Sequence, residues 1–187
     1  MAVLTPPAGA IFLDRDGVIN RSPGSGYVTR PDEFSFLPGS LDAIAALTRA
    51  GRPLFVVSNQ RGVAQGLYNQ ADLEAITASM LAGITETGGR IAGVFYCTHD
   101  EGARCRCRKP APGLIEQACR TQPIDLSRSY VVGDDLKDIA LGRAVGCRTI
   151  LVLSGRTAED AARAWPIAPD QICRDLQDAA AWIVAHP

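Results

Sequence analysis

Ala10-Ile-Phe-Leu-Asp14-Arg-Asp16-Gly-Val-Ile-Asn20 is the stretch that decides the fold. The run from Ala10 to Leu13 holds no polar residue, which suits a short strand buried on both faces of a parallel sheet. The turn after it lifts Asp14 to the carboxyl edge of that sheet, where open α/β folds bind their ligands. A carboxylate at such a mouth can attack an electrophile or hold Mg²⁺ through oxygen, and a second one two residues on can manage a proton. The Asp14/Asp16 pair therefore points to phosphoryl chemistry.

Outward from this stretch, apolar runs alternate with helical patterns. Strands are expected near Ala10–Leu13, Pro53–Ser58, Ile91–Tyr96, Ser129–Val132 and Arg148–Leu153. Helices are expected near Ser40–Ala50, Gln70–Thr87, Ala111–Thr121, Leu136–Val145, Thr157–Ala164 and Leu176–Ala185. Alternation of this kind predicts an α/β fold with a doubly wound, Rossmann-like parallel sheet covered on both faces. Pro38-Gly39-Ser40 and Pro110-Ala-Pro112 are start signals for two of the helices. No repeat or composition break divides the chain, so a single domain over residues 1–187 is the economical reading. The segment from Arg21 to Pro38 is too polar and too rich in Gly and Pro for a helix and too short for a separate lid, which predicts an open site.

A net charge of −1 with 21% charged residues leaves no basic footprint for nucleic acid. Met1-Ala-Val-Leu-Thr-Pro-Pro7 has no basic start or long apolar stretch, and no later run is long enough to span a bilayer. A cytoplasmic monomer acting on a small molecule, without nucleic-acid or membrane partners, is the expectation. Of 19 basic residues only Lys109 and Lys137 are lysines, which hints that a compact point charge is wanted at those two places.

Three further loops leave strand ends with polar signatures. Ser58-Asn59-Gln60-Arg61-Gly62 delivers a hydroxyl and helix-start amides suited to a phosphate oxygen, although a capping role for Ser58 or Asn59 is equally open at this point. Arg108-Lys109-Pro110 precedes a proline-started helix: Lys109 can neutralise an attacking Asp and a phosphoryl group together, while Arg108 can grip a second anion bidentately. Gly133-Asp134-Asp135-Leu136-Lys137-Asp138 places three carboxylates and a lysine at one strand end, which is costly without a cation, so Mg²⁺ is the natural partner. Asp135 or Asp138 can alternatively serve as acids of a first helical turn.

Six cysteines are present, and three of them crowd with a histidine into Cys97-Thr-His99-Asp-Glu-Gly-Ala-Arg-Cys105-Arg-Cys107. Three thiols and one imidazole over eleven residues can close a tetrahedral site, and the polar loop has no core of its own, so structural Zn²⁺ held by Cys97, His99, Cys105 and Cys107 is expected. Cys119, Cys147 and Cys173 read as small apolar residues of the core.

Taken in order, Asp14-x-Asp16-Gly, Ser58, Lys109 and Gly133-Asp134 with Asp138 resemble the haloacid dehalogenase superfamily of phosphohydrolases, over about residues 10 to 153. The zinc loop is similar to that of a capless branch that holds heptose bisphosphate phosphatases and histidinol-phosphate phosphatases. Gly26-Tyr27-Val28 and Asn59-Gln60-Arg61-Gly62-Val63-Ala64-Gln65-Gly66 look more like the heptose enzymes. One departure is Asp135, where the family often has Lys; another is the slightly long stretch Arg21–Ser25. The resemblance implies Mg²⁺ on Asp14, the backbone carbonyl of Asp16, and Asp134. It implies Asp14 as nucleophile, Asp16 as acid and base, and Ser58 and Lys109 on the phosphoryl oxygens. Arg108 is implied at the distal anion of a phosphorylated sugar, with Gly26, Tyr27, Asn59, Gln60 and Arg61 around it.

Overall fold

Three consecutive apolar residues, Ile11–Leu13, form the central strand β1, because each is fully buried and successive side chains feed opposite layers. The computed structural model describes residues 8–24 and 26–186, so the Met1–Pro7 reading and Ser25 of the long stretch lie outside the described residues. On one side β1 pairs in parallel with β2 (Leu54–Asn59), and β2 with β3 (Gly93–Cys97). On the other side β1 pairs with β4 (Tyr130–Gly133), followed by β5 (Arg148–Val152) and β6 (Gln171–Cys173). The order β3-β2-β1-β4-β5-β6 reverses direction between β1 and β4. That reversal opens a crevice at the carboxyl ends of these two strands.

Ile11, Leu13, Leu54, Val56 and Val132 face one layer, formed by α1 (Ser40–Arg49), α2 (Gln70–Glu86) and α6 (Leu176–Ala185), where Ile44, Leu47, Met80, Ile84 and Ile183 meet them. Phe12, Phe55, Val57 and Val131 face the other, against Leu114, Ile115 and Ala118 of α3 (Gly113–Thr121) and Leu141 of α4 (Leu136–Val145). Burying each such Leu, Ile or Phe contributes about 1.5–3 kcal/mol, so large-to-small changes along β1 would be among the most destabilising. Local signals support the packing: Asn69 accepts from the Asp72 amide at 3.0 Å while the Asp72 carboxylate accepts from the Asn69 amide at 2.8 Å, which fixes the start of α2.

Several expectations need correction. β6 is an addition to the expected strands, since Gln171-Ile-Cys173 is only three residues long and mostly half-buried; its partner β5, not its own pattern, defines it. Pro112 caps α3, which therefore starts at Gly113 instead of Ala111. α5 spans only Glu159–Arg163. The Arg21–Pro38 segment contains one short 3-10 turn, Pro31–Glu33, and is tied back by Arg21 N–H to the Ser35 carbonyl (2.8 Å) and Leu37 N–H to the Ile19 carbonyl (3.0 Å). All six thiols are free; Cys147 and Cys173 are buried, and Cys119 is half-buried against the second core layer. Among the described residues no helix is long and apolar enough to cross a membrane.

Candidate active site

Asp14 leaves β1 with its amide bonded to the Val132 carbonyl at 2.9 Å, so the central pair β1/β4 aims it into the crevice. Its carboxylate, 7% exposed, meets the Lys109 Nζ at 2.9 Å, and the same ammonium lies 2.6 Å from Asp138 in the first turn of α4. Burial works against every charge in this trio, but the outcome differs by residue. For Asp14 the charges of Lys109 and Lys137 and the Ser58 hydroxyl outweigh burial and hold the carboxyl below its usual range. For Lys109 the two carboxylates outweigh burial and raise the ammonium further. Asp138, buried and close to Asp14, is pushed up to about 6 despite Lys109.

Asn59, at the end of β2, accounts for the placement of Lys109: its Oδ1 accepts from the Lys109 amide at 3.0 Å and its Nδ2 donates to the Lys109 carbonyl at 3.2 Å. Ser58, one residue earlier and 2% exposed, opens on the same floor. Asp134, after β4, accepts from the Arg156 amide at 2.9 Å. Gly17 (φ 86°) passes so close that a Cβ there would run into the Asp134 carboxyl, which makes glycine the residue that fits.

Carboxylate oxygens of Asp14, Asp134 and Asp138 all lie within 4.8 Å of one another. Burial, with Asp14 and Asp138 adding like charge, pushes Asp134 up to about 7. Three buried carboxylates this close, two of them paired with Lys109, are a donor set suited to a hard divalent cation. Two of the expected metal residues, Asp14 and Asp134, belong to this trio, and the expectation for Asp16 concerns its backbone carbonyl. The Asp16 carboxylate is engaged separately, accepting from Arg15 Nη2 (3.0 Å), Asn20 Nδ2 (2.9 Å) and Gln60 Nε2 (2.9 Å), and Asp138 is the third member of the acidic trio.

Above the floor lies a cleft of about 330 Å³ lined by Asp14, Asp16, Ser58 and Asp134, with Tyr27, Asn59, Arg61 and Arg108 on one side. Glu101, Asp135, Lys137 and Arg156 complete the lining. Arg61 and Arg108 share one carboxylate, Glu101, at 2.7 and 2.8 Å, and Arg61 also reaches Asp100 at 3.0 Å. Two residues expected near the substrate lie outside this lining: Gly26 is exposed, and Gln60 is fully buried with its amide bonded to Asp16 and Ser58.

Asn20, Glu101 and Arg156 were missed. Asn20 lies one helical turn's spacing after Asp16, and Arg156 follows β5 in Ser154-Gly155-Arg156, a fifth strand-end loop that the sequence reading passed over.

At the end of β3 the Sγ atoms of Cys97, Cys105 and Cys107 and Nδ1 of His99 converge, with Cys97 3.6 Å from His99, 3.6 Å from Cys105 and 3.2 Å from Cys107. Around a zinc ion with thiolates at about 2.3 Å, the edges of the tetrahedron are roughly 3.5–3.8 Å, and the two 3.6 Å spacings match these. Cys107, 3.2 Å from Cys97 and 3.1 Å from His99, sits slightly closer, and three thiols with one imidazole are a donor set suited to zinc. Burial pushes Cys97 up to about 12 in the absence of a cation, whereas a metal would hold it as thiolate.

The described HAD-hydrolase-like family (Hydrolase_like) matches residues 106–179. The D-glycero-beta-D-manno-heptose-1,7-bisphosphate 7-phosphatase of Bordetella bronchiseptica is 38% identical over 89% of this chain and 92% of its own. This chain belongs to the haloacid dehalogenase-like hydrolases. The Pseudomonas aeruginosa protein of the same name is 40% identical over 78% of this chain and 82% of its own. A crystal structure of the B. bronchiseptica D,D-heptose 1,7-bisphosphate phosphatase complexed with magnesium and phosphate superposes with a TM-score of 0.88 at 35% identity, covering 96% of this chain and 99% of that one. Its Burkholderia thailandensis counterpart gives 0.72 at 31%, covering 95% and 99%. As a haloacid dehalogenase-like hydrolase, the chain departs at Asp135. That carboxylate caps α4 by accepting from the Lys137 amide (3.2 Å) and pairs with the Lys137 ammonium (2.9 Å), so the cation on this side of the cleft comes from position 137.

Proposed function

We propose that this chain is a Mg²⁺-dependent phosphatase of a sugar bisphosphate, D-glycero-D-manno-heptose 1,7-bisphosphate cleaved at C7, working as one phosphatase domain. The observation that carries the reading is the placement of Asp14: a buried carboxylate facing Lys109 at 2.9 Å, beneath a cleft rimmed by the guanidinium groups of Arg61 and Arg108. Lys109 and Ser58 would receive the equatorial phosphoryl oxygens, and Asp14 would attack phosphorus to form an aspartyl-phosphate. Asp16 would protonate the departing sugar oxygen and then accept a proton from the water that frees phosphate. Mg²⁺, held by Asp14, Asp134 and the Asp16 carbonyl with Asp138 alongside, would neutralise charge building up on the transferred group. Zn²⁺ on Cys97, His99, Cys105 and Cys107 would hold the loop that carries Glu101 and Arg108.

Arg61, Arg108 and Tyr27 would take the distal phosphate. The opposing possibility, a cationic amino alcohol such as histidinol phosphate, would need a carboxylate at that place, and Glu101 is already engaged by two guanidiniums. Phosphate release across heptose 1,7-bisphosphate, hexose bisphosphates, sugar monophosphates and histidinol phosphate tests the proposal. The heptose bisphosphate is expected to give the highest kcat/KM, and a preference for histidinol phosphate would overturn the reading.

A further inference from the structure

Tyr68 lies outside the cleft lining, yet it is 5% exposed and joined to the site by a continuous chain of hydrogen bonds. Its hydroxyl donates to Gln60 Oε1 at 2.7 Å, and Gln60 Nε2 donates to Asp16 Oδ2 at 2.9 Å and to Ser58 Oγ at 3.2 Å. The directions of these bonds follow from chemistry. The Gln60 NH₂ faces Asp16 Oδ2, which leaves Oε1 facing the phenol, and since an amide oxygen only accepts, the phenol donates. Burial pushes the Tyr68 hydroxyl up to about 12, so it keeps its proton.

The surrounding residues enforce this arrangement. Gly62 allows the loop to fold over the Tyr68 ring, since a Cβ there would overlap it, and the Tyr27 ring packs at 6.2 Å. On the far side of Asp16 sits Arg15, wholly buried, with its guanidinium 5.7 Å above the Tyr96 ring. Arg15, Asn20 and Gln60 thus grip one carboxylate, and of the three Gln60 is the one bonded to Tyr68.

We propose that Tyr68 is a positioning residue of the phosphatase reaction, anchoring the Gln60 amide by its oxygen so that the NH₂ holds the Asp16 carboxylate for proton transfer. This rests on the acid–base role proposed for Asp16. If Tyr68 lost its hydroxyl, the Gln60 amide would lose the bond that anchors its oxygen and could shift away from Asp16, loosening the carboxylate without touching the substrate.

Leaving-group chemistry separates this from a general structural effect. A sugar alkoxide needs the proton that Asp16 supplies, whereas an aryl oxide departs with little help. Tyr68→Phe is expected to lower kcat/KM on heptose 1,7-bisphosphate roughly three- to tenfold and to change kcat/KM for p-nitrophenyl phosphate by less than about twofold. The ratio kcat/KM ends at departure of the leaving group and leaves out the aspartyl-phosphate hydrolysis that both esters share, so every loss for these variants is read in kcat/KM. Gln60→Met, which cannot donate, should show the same selectivity, and adding Tyr68→Phe to it should cost nothing more. Equal losses on both esters in Tyr68→Phe, or full additivity in the double variant, would overturn the inference while leaving the proposed function standing. Should Tyr68→Phe fail to fold, selectivity of Gln60→Met for the sugar ester still supports it and uniform loss refutes it. Absence of phosphate release by the wild-type protein, or equal losses on both esters in Asp16→Asn, would overturn the underlying reading and this inference with it.

Discussion

At the floor of the cleft Lys109 meets Asp14 with side chains 0% and 7% exposed, whereas at the rim Arg108 meets Glu101 with 21% and 63%. Both are ion pairs of similar length, but water reaches only one of them. On the floor, charges are held by burial and by each other, so removing one partner strands the next at a cost of about 3–5 kcal/mol. Around the rim, solvent screens the pairs to about 0–1 kcal/mol each, so an incoming anion can replace Glu101 at little cost. One region is organised for a fixed reaction geometry and the other for exchangeable binding.

The most severe test of this contrast is Asp14→Asn, which keeps the shape of the floor but removes the nucleophile. A fall in kcat of at least about 10⁴-fold is expected, and turnover within tenfold of wild type would break the covalent mechanism. Next is Asp138→Asn. With Asp14 still facing the ammonium, the loss of folding stability in urea should sit near the lower end, about 3 kcal/mol, together with a large drop in kcat. If stability were unchanged, the floor would not be the interlocked unit described.

Cys107→Ser sharpens the contrast from the other side, because the zinc loop carries Glu101 and Arg108 but not Asp14. Elemental analysis should fall from one zinc per chain toward none, the thermal transition should drop, and KM for the bisphosphate should rise more than kcat falls. Wild-type protein prepared without chelators and lacking zinc would refute the site. Arg108→Ala is milder, since its guanidinium is partly hydrated. About 1.5 kcal/mol, or roughly tenfold in kcat/KM, should be lost for bisphosphates and little for monophosphates; equal losses would remove Arg108 from the distal phosphate.

The smallest effect concerns pH. In metal-free protein Asp134 and Asp138 are raised to about 7 and about 6, above the unfolded carboxylate value. Between about pH 4 and 7 the folded state then binds more protons than the unfolded one, so these two groups lose stability as pH rises. A cation that binds the ionised acids offsets that loss, and the thermal shift produced by Mg²⁺ should grow from about pH 5.5 to about pH 8. A shift that stayed flat would show that the acidic trio does not hold the ion.

β1, β2 and β4 were legible because each is a short apolar run that ends in a polar signature, and α4 and α6 were legible to the residue from their aspartate starts and apolar stripes. β6 was not, since a three-residue edge strand is defined by its neighbour. Lys109 could be read as facing Asp14 from its chemistry, but its second partner Asp138 could equally have been a helix-start acid until the fold brought the two within 2.6 Å. Gln60, a polar residue in a strand-end loop, reads as a ligand contact, and only the fold shows that its amide is bonded to Asp16 and Tyr68.

The side chain of Asn59 fastens the main chain of Lys109 at both its amide and its carbonyl, across fifty positions of sequence. The lysine is therefore aimed from β2, upstream of the metal loop, and the residues between His99 and Cys105 are relieved of that task. Length and composition there are free to drift, or to be redesigned, without re-aiming the ammonium: the loop can be retuned for the far end of a substrate while the end that is cut is addressed as before.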